Sequence, residues 1–300
     1  MRLPENVTLK EVGPRDGLQN EKVFVSTEDK VEWINQLSKS GLSYIEVSSF
    51  VHPKWIPALS DADEVFSKIT KQPGVTYSAL VPNAKGTERA LKANVDEFAV
   101  FMSASETHNR KNINKSIEET FPVLKEVVDE GRKAGKKVRG YVSTVFGCPY
   151  DGNVAVGEVK KVCDRLFSMG VYEISLGDTI GIANPKQVGE VLEELVKDFD
   201  ADRFALHFHD TRGLALANTL AGLNAGITSF DGSAGGLGGC PYAEGASGNA
   251  ASEDLIFMFE EMGINTGVDF NKFMKAASFI EKALGKPLPG RQLKLLEGRA

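Results

Sequence analysis

Two histidines lie one residue apart in the stretch ALHFHD, residues 205–210 of a chain that contains four histidines. Residues i and i+2 of a β-strand point to the same face, so His207 and His209 would project together while Phe208 packs on the opposite side. Two neighbouring imidazoles can hold a divalent metal ion, and they can also form a hydrogen-bonded polar pair. The pair alone leaves both interpretations open.

Oxygen ligands follow other strand-like segments of the chain. Asp16 lies after the first apolar run, and Asn249 ends the loop after the last one. A mixture of imidazole nitrogen, carboxylate and amide oxygen without thiolate suits Mg²⁺ or Mn²⁺ better than a structural zinc ion. Four protein ligands would leave positions on an octahedral ion for substrate oxygens. We therefore expect Mg²⁺ or Mn²⁺ at Asp16, His207, His209 and Asn249.

Charged and nucleophilic groups near this set suggest carbonyl chemistry. Arg15 precedes Asp16, and a guanidinium beside a metal site can neutralise an oxyanion that develops on a carbonyl. Glu11 and Glu46, on the first two strand-like runs, could orient Arg15 through ion pairs or form structural salt bridges inside the fold. Cys240 lies within residues 232–248, which contain seven glycines and are typical of a mobile lid. The pKa of that thiol could fall near a cation, or the cysteine could be there by chance.

The elements that must position these residues alternate along the chain. Short runs rich in Val, Ile, Phe and Tyr have strand length, and between them lie helix-like windows with N-terminal capping pairs such as Ser60 with Asp63 and Ser116 with Glu119. Strands that alternate with helices indicate a parallel sheet. The strand-like runs cover residues 6–13, 42–50, 75–82, 95–103, 136–146, 171–178, 203–210 and 226–233.

Two α/β architectures fit this alternation, a closed (β/α)8 TIM barrel and an open doubly wound sheet. The length of 300 residues suits a barrel with a terminal extension, and neither a GxGxxG dinucleotide fingerprint nor a GxxxxGK[ST] phosphate loop occurs. We predict one domain over residues 1–300, with the barrel over about 5–262 and additional C-terminal helices over about 263–300. The polar residues above then fall at the C-terminal ends of the strands, where TIM barrels place their active sites.

Composition excludes several other classes of protein. The net charge of −6 argues against a nucleic-acid partner, which requires a basic surface. No apolar run approaches the length of about 18 residues that a membrane span needs. The N-terminal stretch MRLPENVTLK has neither a signal-peptide nor a transit-peptide pattern, so we expect a cytoplasmic location. Three cysteines without CxxC spacing predict neither a disulfide framework nor a cysteine-rich zinc site.

At these residues the sequence resembles the 3-hydroxy-3-methylglutaryl-CoA (HMG-CoA) lyases, which belong to the metal-dependent lyase and aldolase barrels together with the isopropylmalate and homocitrate synthases. The resemblance extends over nearly the whole chain. It rests on the segments EVGPRDGLQNE, SSFVHPKWIP, RGYVSTVFGCPYDG, LGDTIG, HFHDTRGLALAN and GLGGCPYAEGASGN. The last segment is similar to the loop whose cysteine separates the lyases from the synthases.

The resemblance implies a role for each candidate residue. The four expected ligands match the metal ligands of the lyases, and Arg15 matches the arginine that stabilises the enolate of the departing acetyl-CoA. The other matches are Cys240 as the catalytic cysteine of the mobile loop, Glu46 and Asp178 as acidic active-site residues, Glu11 as support for the arginine, and Tyr141 and Ser49 as pocket residues. Gln19 is a further candidate for substrate binding, and Lys22 is a candidate for a CoA phosphate.

The implied reaction is the retro-Claisen cleavage of (S)-HMG-CoA, an acyl-CoA, to acetyl-CoA and acetoacetate, as in leucine degradation and ketone body formation. The base is either His207 or Asp178, and the sequence leaves both open. Alternatives are a lyase for longer 3-hydroxy-3-alkylglutaryl-CoA substrates, a Claisen-type synthase that joins acetyl-CoA to a 2-oxo acid, and a non-catalytic acyl-CoA or metal sensor. Barrels of this type often dimerise, so a homodimer is among the expected partners.

Overall fold

The fold is a closed barrel of eight parallel strands in chain order, in which β8 pairs with β1. The computed structural model describes residues 3–240 and 243–297, with the side chains of residues 240, 243–247 and 297 left out of the description. The TIM barrel predicted from the sequence is confirmed. The strands are β1 Thr8–Glu11, β2 Tyr44–Ser49, β3 Thr76–Leu80, β4 Glu97–Ser103, β5 Lys137–Ser143, β6 Glu173–Asp178, β7 Phe204–Phe208 and β8 Ser229–Gly232.

Helices connect the strands and follow the barrel. Among the described residues they are α1 Thr27–Ser38, α2 Ala62–Lys68, α3 Ala84–Lys92, α4 Glu106–Ile113, α5 Ile117–Lys133, α6 Val156–Met169, α7 Pro185–Leu195, α8 Ala215–Asn224, α9 Ser252–Glu261, α10 Phe270–Leu284 and α11 Arg291–Glu297. None of these described helices combines the length and the apolar character needed to cross a bilayer. The proposed limits of barrel and extension remain a prediction.

The capping pairs read from the sequence have different outcomes. At α5 the pair is a true capping box, in which Ser116 Oγ accepts from the Glu119 amide at 3.0 Å and Glu119 Oε2 accepts from the Ser116 amide at 2.8 Å. The prediction for Ser60 was wrong, because Ser60 follows the 3-10 turn Pro57–Leu59 with helical φ and ψ angles. Ser60 therefore belongs to that turn, and α2 begins after Asp61, whose side chain makes no capping hydrogen bond.

The observed strands are shorter than the predicted runs because buried loop residues extend the apolar pattern. Residues 226–233 form the last run, whereas β8 covers Ser229–Gly232. Gly226 has a φ of +89°, and the Ile227 amide donates back to the Gly222 carbonyl at the end of α8. Ile227 is nevertheless fully buried in the core. An apolar residue that packs from a loop cannot be distinguished from a strand residue by hydropathy alone.

The glycine-rich stretch after β8 is more regular than the loop expected from its composition. It contains a two-stranded antiparallel ladder of β9 (Gly239–Cys240) and β10 (Ala243–Ser247), in which Cys240 is paired with Ala243. The stretch begins with glycines in the left-handed region, among them Gly236 at φ +67° and Gly238 at φ +121°. Residues with a Cβ are strained at such angles, so glycine permits the sharp path from β8 to this hairpin.

Candidate active site

The four predicted metal ligands lie together at the C-terminal end of the barrel. Ligand atoms of Asp16, His207 and His209 are all within 4.8 Å of one another. Asp16 lies in the turn after β1, His207 on β7, and His209 just after that strand. Asn249 forms a β-bridge with His209, and its amide nitrogen donates to Asp16 Oδ2 at 2.9 Å. Ring closure of the barrel thus brings together residues from both ends of the chain.

Two polar atoms of this cluster, Nδ1 of His209 and Oδ1 of Asn249, are buried and have no hydrogen-bond partner among the described residues. Burial and the neighbouring His207 lower the pKa of His209 to about 4, so its imidazole is neutral. Burial opposes ionisation of Asp16, but Arg15 and the histidines outweigh it and lower the pKa of Asp16 to about 2. Neutral imidazole and ionised carboxylate are the metal-binding forms. His209 and Asp16 are therefore in the forms that bind a divalent cation.

Arg15 is fixed beside the cluster by several contacts. Its Nε and Nη2 lie 2.8 and 2.7 Å from Glu46 Oε2, and its Nη1 lies 2.5 Å from Asp16 Oδ1. The guanidinium also lies 5.1 Å from the ring centre of Tyr141, whose hydroxyl donates to Glu46 Oε2 at 2.9 Å. Burial works against the charged form, yet the two carboxylates hold the pKa of Arg15 above its ordinary value. The predicted ion pair with Glu46 is confirmed.

Glu11 does not pair with Arg15, so the ion pair that the sequence left open for it is not formed, and its support of the arginine stays a prediction. Its carboxylate accepts hydrogen bonds from the amides of Gly13 and Ala234 at 2.8 and 3.0 Å and from Ser252 Oγ at 2.7 Å. Neighbouring strand residues face opposite sides, and Lys10 occupies the barrel interior beside Glu173. Glu11 therefore faces away from the interior and ties the turn that carries Arg15 to the segment after β8. Burial raises the pKa of Glu11 to about 7.

A cavity of about 750 Å³ opens beside the cluster. Six of the predicted site residues line it, namely Arg15, Asp16, Gln19, Tyr141, His207 and His209. Gln19 also donates to Asp16 Oδ1 at 2.8 Å. The volume lies within the range typical of small-molecule and cofactor sites.

Six candidates are not among the described residues that line the cavity. Glu11, Glu46 and Asn249 are placed above by their contacts, and the roles of the other three, Asp178, Ser49 and Lys22, stay predictions. The Asp178 carboxylate accepts from the Ile182 and Ala183 amides, both at 3.0 Å, and so organises the loop after β6. Burial raises the pKa of Asp178. Ser49 Oγ accepts from the Val51 amide at 3.2 Å, and Lys22 is exposed.

The prediction for Cys240 concerns a side chain that lies outside the described residues. Its backbone belongs to β9, and the preceding Gly239 lines the cavity. The hairpin strand therefore reaches the site that the predicted metal ligands form. The role of the thiol stays a prediction.

A buried carboxylate behind His207 was not predicted from the sequence. Asp231 Oδ2 lies 3.3 Å from His207 Nδ1 and accepts from Ser175 Oγ at 2.7 Å, while Asp231 Oδ1 accepts from Arg139 Nη2 at 2.6 Å. Arg139 Nη1 donates to the Tyr141 hydroxyl at 2.8 Å. A signal was available, because Asp231 and Arg139 are charged residues in the middle of runs predicted as buried strands. Charge at such positions indicates an internal ion pair.

Comparison with known proteins places these features in a family. Residues 6–280 match the family described as HMGL-like. The chain is 59% identical over 297 residues to hydroxymethylglutaryl-CoA lyase YngG of Bacillus subtilis (strain 168), with 99% of each chain covered.

Solved structures agree over the same extent. The crystal structure of the HMG-CoA lyase of Bacillus subtilis has a TM-score of 0.98 and 59% identity, and covers 99% of this chain and 100% of its own. An HMG-CoA lyase of Acinetobacter baumannii in complex with coenzyme A and 3-methylmalate has a TM-score of 0.92 and 41% identity, covering 97% of this chain and 95% of its own.

Proposed function

Since the chain belongs to the HMGL-like family, we propose that it is a carbon–carbon lyase that cleaves HMG-CoA to acetyl-CoA and acetoacetate. The observation that carries the proposal is the position of the buried Arg15 guanidinium directly beside the ligand atoms of Asp16, His207 and His209. A cation-binding cluster next to a fixed positive charge suits a reaction in which negative charge develops on a carbonyl oxygen. An acyl-CoA substrate is consistent with the coenzyme A in the Acinetobacter complex.

Asp16, His207, His209 and Asn249 would hold the cation, for which we propose Mg²⁺ or Mn²⁺. A divalent ion polarises bound substrate oxygens and acidifies a coordinated hydroxyl. The chain holds two of these ligands in their metal-binding forms, because Arg15 keeps Asp16 ionised and burial keeps His209 neutral.

In the proposed reaction a base takes the proton of the C3 hydroxyl, the C2–C3 bond breaks, and C3 becomes the ketone carbon of acetoacetate. The electron pair of the broken bond enters the thioester carbonyl and forms the enolate of acetyl-CoA. Arg15 stabilises this enolate with a guanidinium that Glu46 already orients, so little reorganisation is needed. Cys240 then donates a proton to C2, which completes acetyl-CoA.

The base remains either His207 or Asp178. His207 lines the cavity, but one ring nitrogen lies near Asp231 and the other near Asp16. Asp178 keeps a raised pKa, as suits a base, but its carboxylate accepts from loop amides and does not line the cavity. The pH profile of kcat for Asp178→Asn tests the two without removing a proposed metal ligand. Loss of the acidic limb would assign the base to Asp178, and an acidic limb that persists would assign it to His207.

Product analysis tests the proposed function. The purified protein is incubated with Mg²⁺, a thiol reductant and HMG-CoA, and acetoacetate and acetyl-CoA are measured. We expect equal amounts of the two products, and no CoA release from acetyl-CoA with 2-oxo acids. Preferential cleavage of a longer 3-hydroxy-3-alkylglutaryl-CoA would make that acyl-CoA the substrate in place of HMG-CoA. CoA release with a 2-oxo acid would favour the synthase, and binding without turnover would favour a sensor.

A homodimer and a cytoplasmic location remain predictions, and sedimentation velocity tests the first of them.

A further inference from the structure

The side of His207 that faces the barrel interior meets a carboxylate that the proposed reaction does not use. His207 and Asp231 are paired residues on the parallel strands β7 and β8, so their side chains project to the same side of the sheet. His207 Nδ1 lies 3.3 Å from Asp231 Oδ2, and His207 Nε2 lies 3.7 Å from Asp16 Oδ2. The two ring nitrogens therefore face two different carboxylates, one in the interior and one in the metal-ligand cluster.

Asp231 is held as an acceptor. It is 3% exposed, and its Oδ1 forms an ion pair of 2.6 Å with the fully buried Arg139. Its Oδ2 accepts the Ser175 hydroxyl at 2.7 Å. An ionised carboxylate has no proton to donate, so its hydrogen bond with a neutral imidazole requires the proton on Nδ1. The lone pair of that imidazole is then on Nε2.

We propose that Asp231 is a positioning residue that fixes the tautomer and the ring orientation of His207, so that Nε2 is available to the divalent cation. This inference rests on the proposed function, because the cation belongs to it. Carboxylates that accept from the second nitrogen of a metal-binding histidine commonly orient the ring and raise its basicity. Here the carboxylate is itself fixed by Arg139, and Arg139 also donates to the hydroxyl of Tyr141 beside Arg15.

Replacement of Asp231 by asparagine gives a sharp expectation. The Arg139 guanidinium can only donate, so it would select the amide oxygen of the new side chain for the Oδ1 position. The amide nitrogen would then occupy the Oδ2 position and donate to His207 Nδ1. His207 would have to hold its proton on Nε2, where it blocks metal binding. Ser175 can rotate its hydroxyl and accept from the same amide nitrogen.

Glu173→Gln supplies a matched control. Glu173 is also a buried acid bonded to Arg139, at 2.6 Å from Nε, and it pairs with Lys10 at 2.6 Å as well. The change removes the same charge from the same ionic cluster and leaves Asp231 and His207 in contact. If Asp231 serves only as a counter-ion for Arg139, the two variants should affect the metal site alike.

Binding of Mn²⁺ alone, followed by the EPR signal of the free ion, measures the effect without turnover. We expect Asp231→Asn to raise the Kd for Mn²⁺ by about 10- to 100-fold, the range found when such outer partners are removed. Glu173→Gln should change it by less than about 3-fold. Equal Kd values for wild type and Asp231→Asn, or equal weakening in both variants, would overturn the inference. If the wild type itself binds no Mn²⁺, the proposed metal site fails instead.

A second measurement needs no variant and therefore does not depend on Asp231→Asn folding. The protein is labelled with ¹⁵N-histidine and saturated with Mg²⁺. NMR then shows which ring nitrogen of His207 carries the proton. We expect the proton on Nδ1. A proton on Nε2 of His207 in the Mg²⁺-saturated protein would contradict the role of Asp231.

Discussion

At the scale of single residues, the site depends on how firmly one guanidinium is held. Arg15 contacts two carboxylates and lies beside the ring of Tyr141, and its side chain is almost completely buried. A lysine or an uncharged side chain could not reproduce the contacts of Nε and Nη2 with Glu46. In the proposed reaction the enolate would form next to a positive charge that is already oriented, so little reorganisation would accompany its stabilisation.

We expect Arg15→Met to lower kcat by roughly 10²- to 10³-fold, the scale seen when one oxyanion-stabilising group is removed. Steady-state kinetics on HMG-CoA measures this, with Mn²⁺ affinity followed in parallel. Arg165→Met removes an exposed arginine that pairs with Glu118 and should leave kcat unchanged. A kcat within about 3-fold of wild type in Arg15→Met would remove the arginine from the reaction.

Cys240→Ala should also lower kcat by roughly 10²-fold or more, because a general acid contributes on that scale. Cys163→Ala is the matched control, since Cys163 is buried in α6 away from the cavity. We expect the control to retain turnover at a temperature at which it is folded. Turnover near the wild-type level in Cys240→Ala would exclude the thiol as the proton donor.

At the scale of elements, the segment after β8 places the amide ligand. Asn249 Nδ2 donates to the carbonyl of Leu237 at 3.0 Å as well as to Asp16. Gly238 lies so close to Asn249 that an added Cβ would be 2.7 Å from Asn249 Nδ2. The arrangement therefore requires a glycine at this position. A glycine of the stretch that predicts a mobile loop from the sequence therefore also lets the backbone pass close to Asn249, a proposed metal ligand.

We expect Gly238→Ala to weaken Mn²⁺ binding by about 10-fold or more, since displacing Asn249 disturbs a ligand that the site needs. The variant also incurs backbone strain at φ +121°. Gly285→Ala controls for strain, because Gly285 has φ +64° and an added Cβ would meet no atom within 4 Å. Isothermal titration with Mn²⁺ compares the two, and equal affinities would show that Asn249 tolerates the extra methyl group.

Sequence alone predicted the alternation of strands and helices and the convergence of Asp16, His207 and His209. Strand periodicity places His207 and His209 on one side, and barrel closure brings Asp16 to them. The sequence did not predict which acid faces Arg15. Glu11 and Glu46 lie in equivalent runs, but Glu46 faces the interior while Glu11 does not. That difference depends on the register of each strand in the closed barrel, and the local sequence pattern does not reveal the register.

At the scale of the whole molecule, the barrel buries acids that are not neutralised by a cation. Glu253 on α9 accepts from the Gly235 amide at 2.9 Å through Oε2, while its buried Oε1 has no partner in the part of the chain that the structure describes. Burial raises its pKa from 4.5 to about 8. Between these values the folded chain keeps a proton that the unfolded chain releases. The free energy of unfolding must then fall as pH rises through this window.

We expect the free energy of unfolding to decrease between pH 5 and pH 8 by on the order of 1 kcal/mol per pH unit for this one proton, at most. Glu253→Gln should show a smaller decrease, because its side chain is neutral throughout. Glu126→Gln, an exposed change on α5, should follow the wild type. Urea unfolding at several pH values measures the slopes. Parallel curves for wild type and Glu253→Gln would mean that Glu253 is ionised in the folded protein.

In the proposed function, the cation at Asp16, His207, His209 and Asn249 is required for cleavage of HMG-CoA. The most direct measurement titrates metal-free protein with Mn²⁺ while bound Mn²⁺ and the rate of acetoacetate formation are followed on the same samples. We expect no turnover at zero metal, a rate that rises in proportion to the bound ion, and saturation at one Mn²⁺ per chain. Turnover that persists in the metal-free protein would show that the cation is not required.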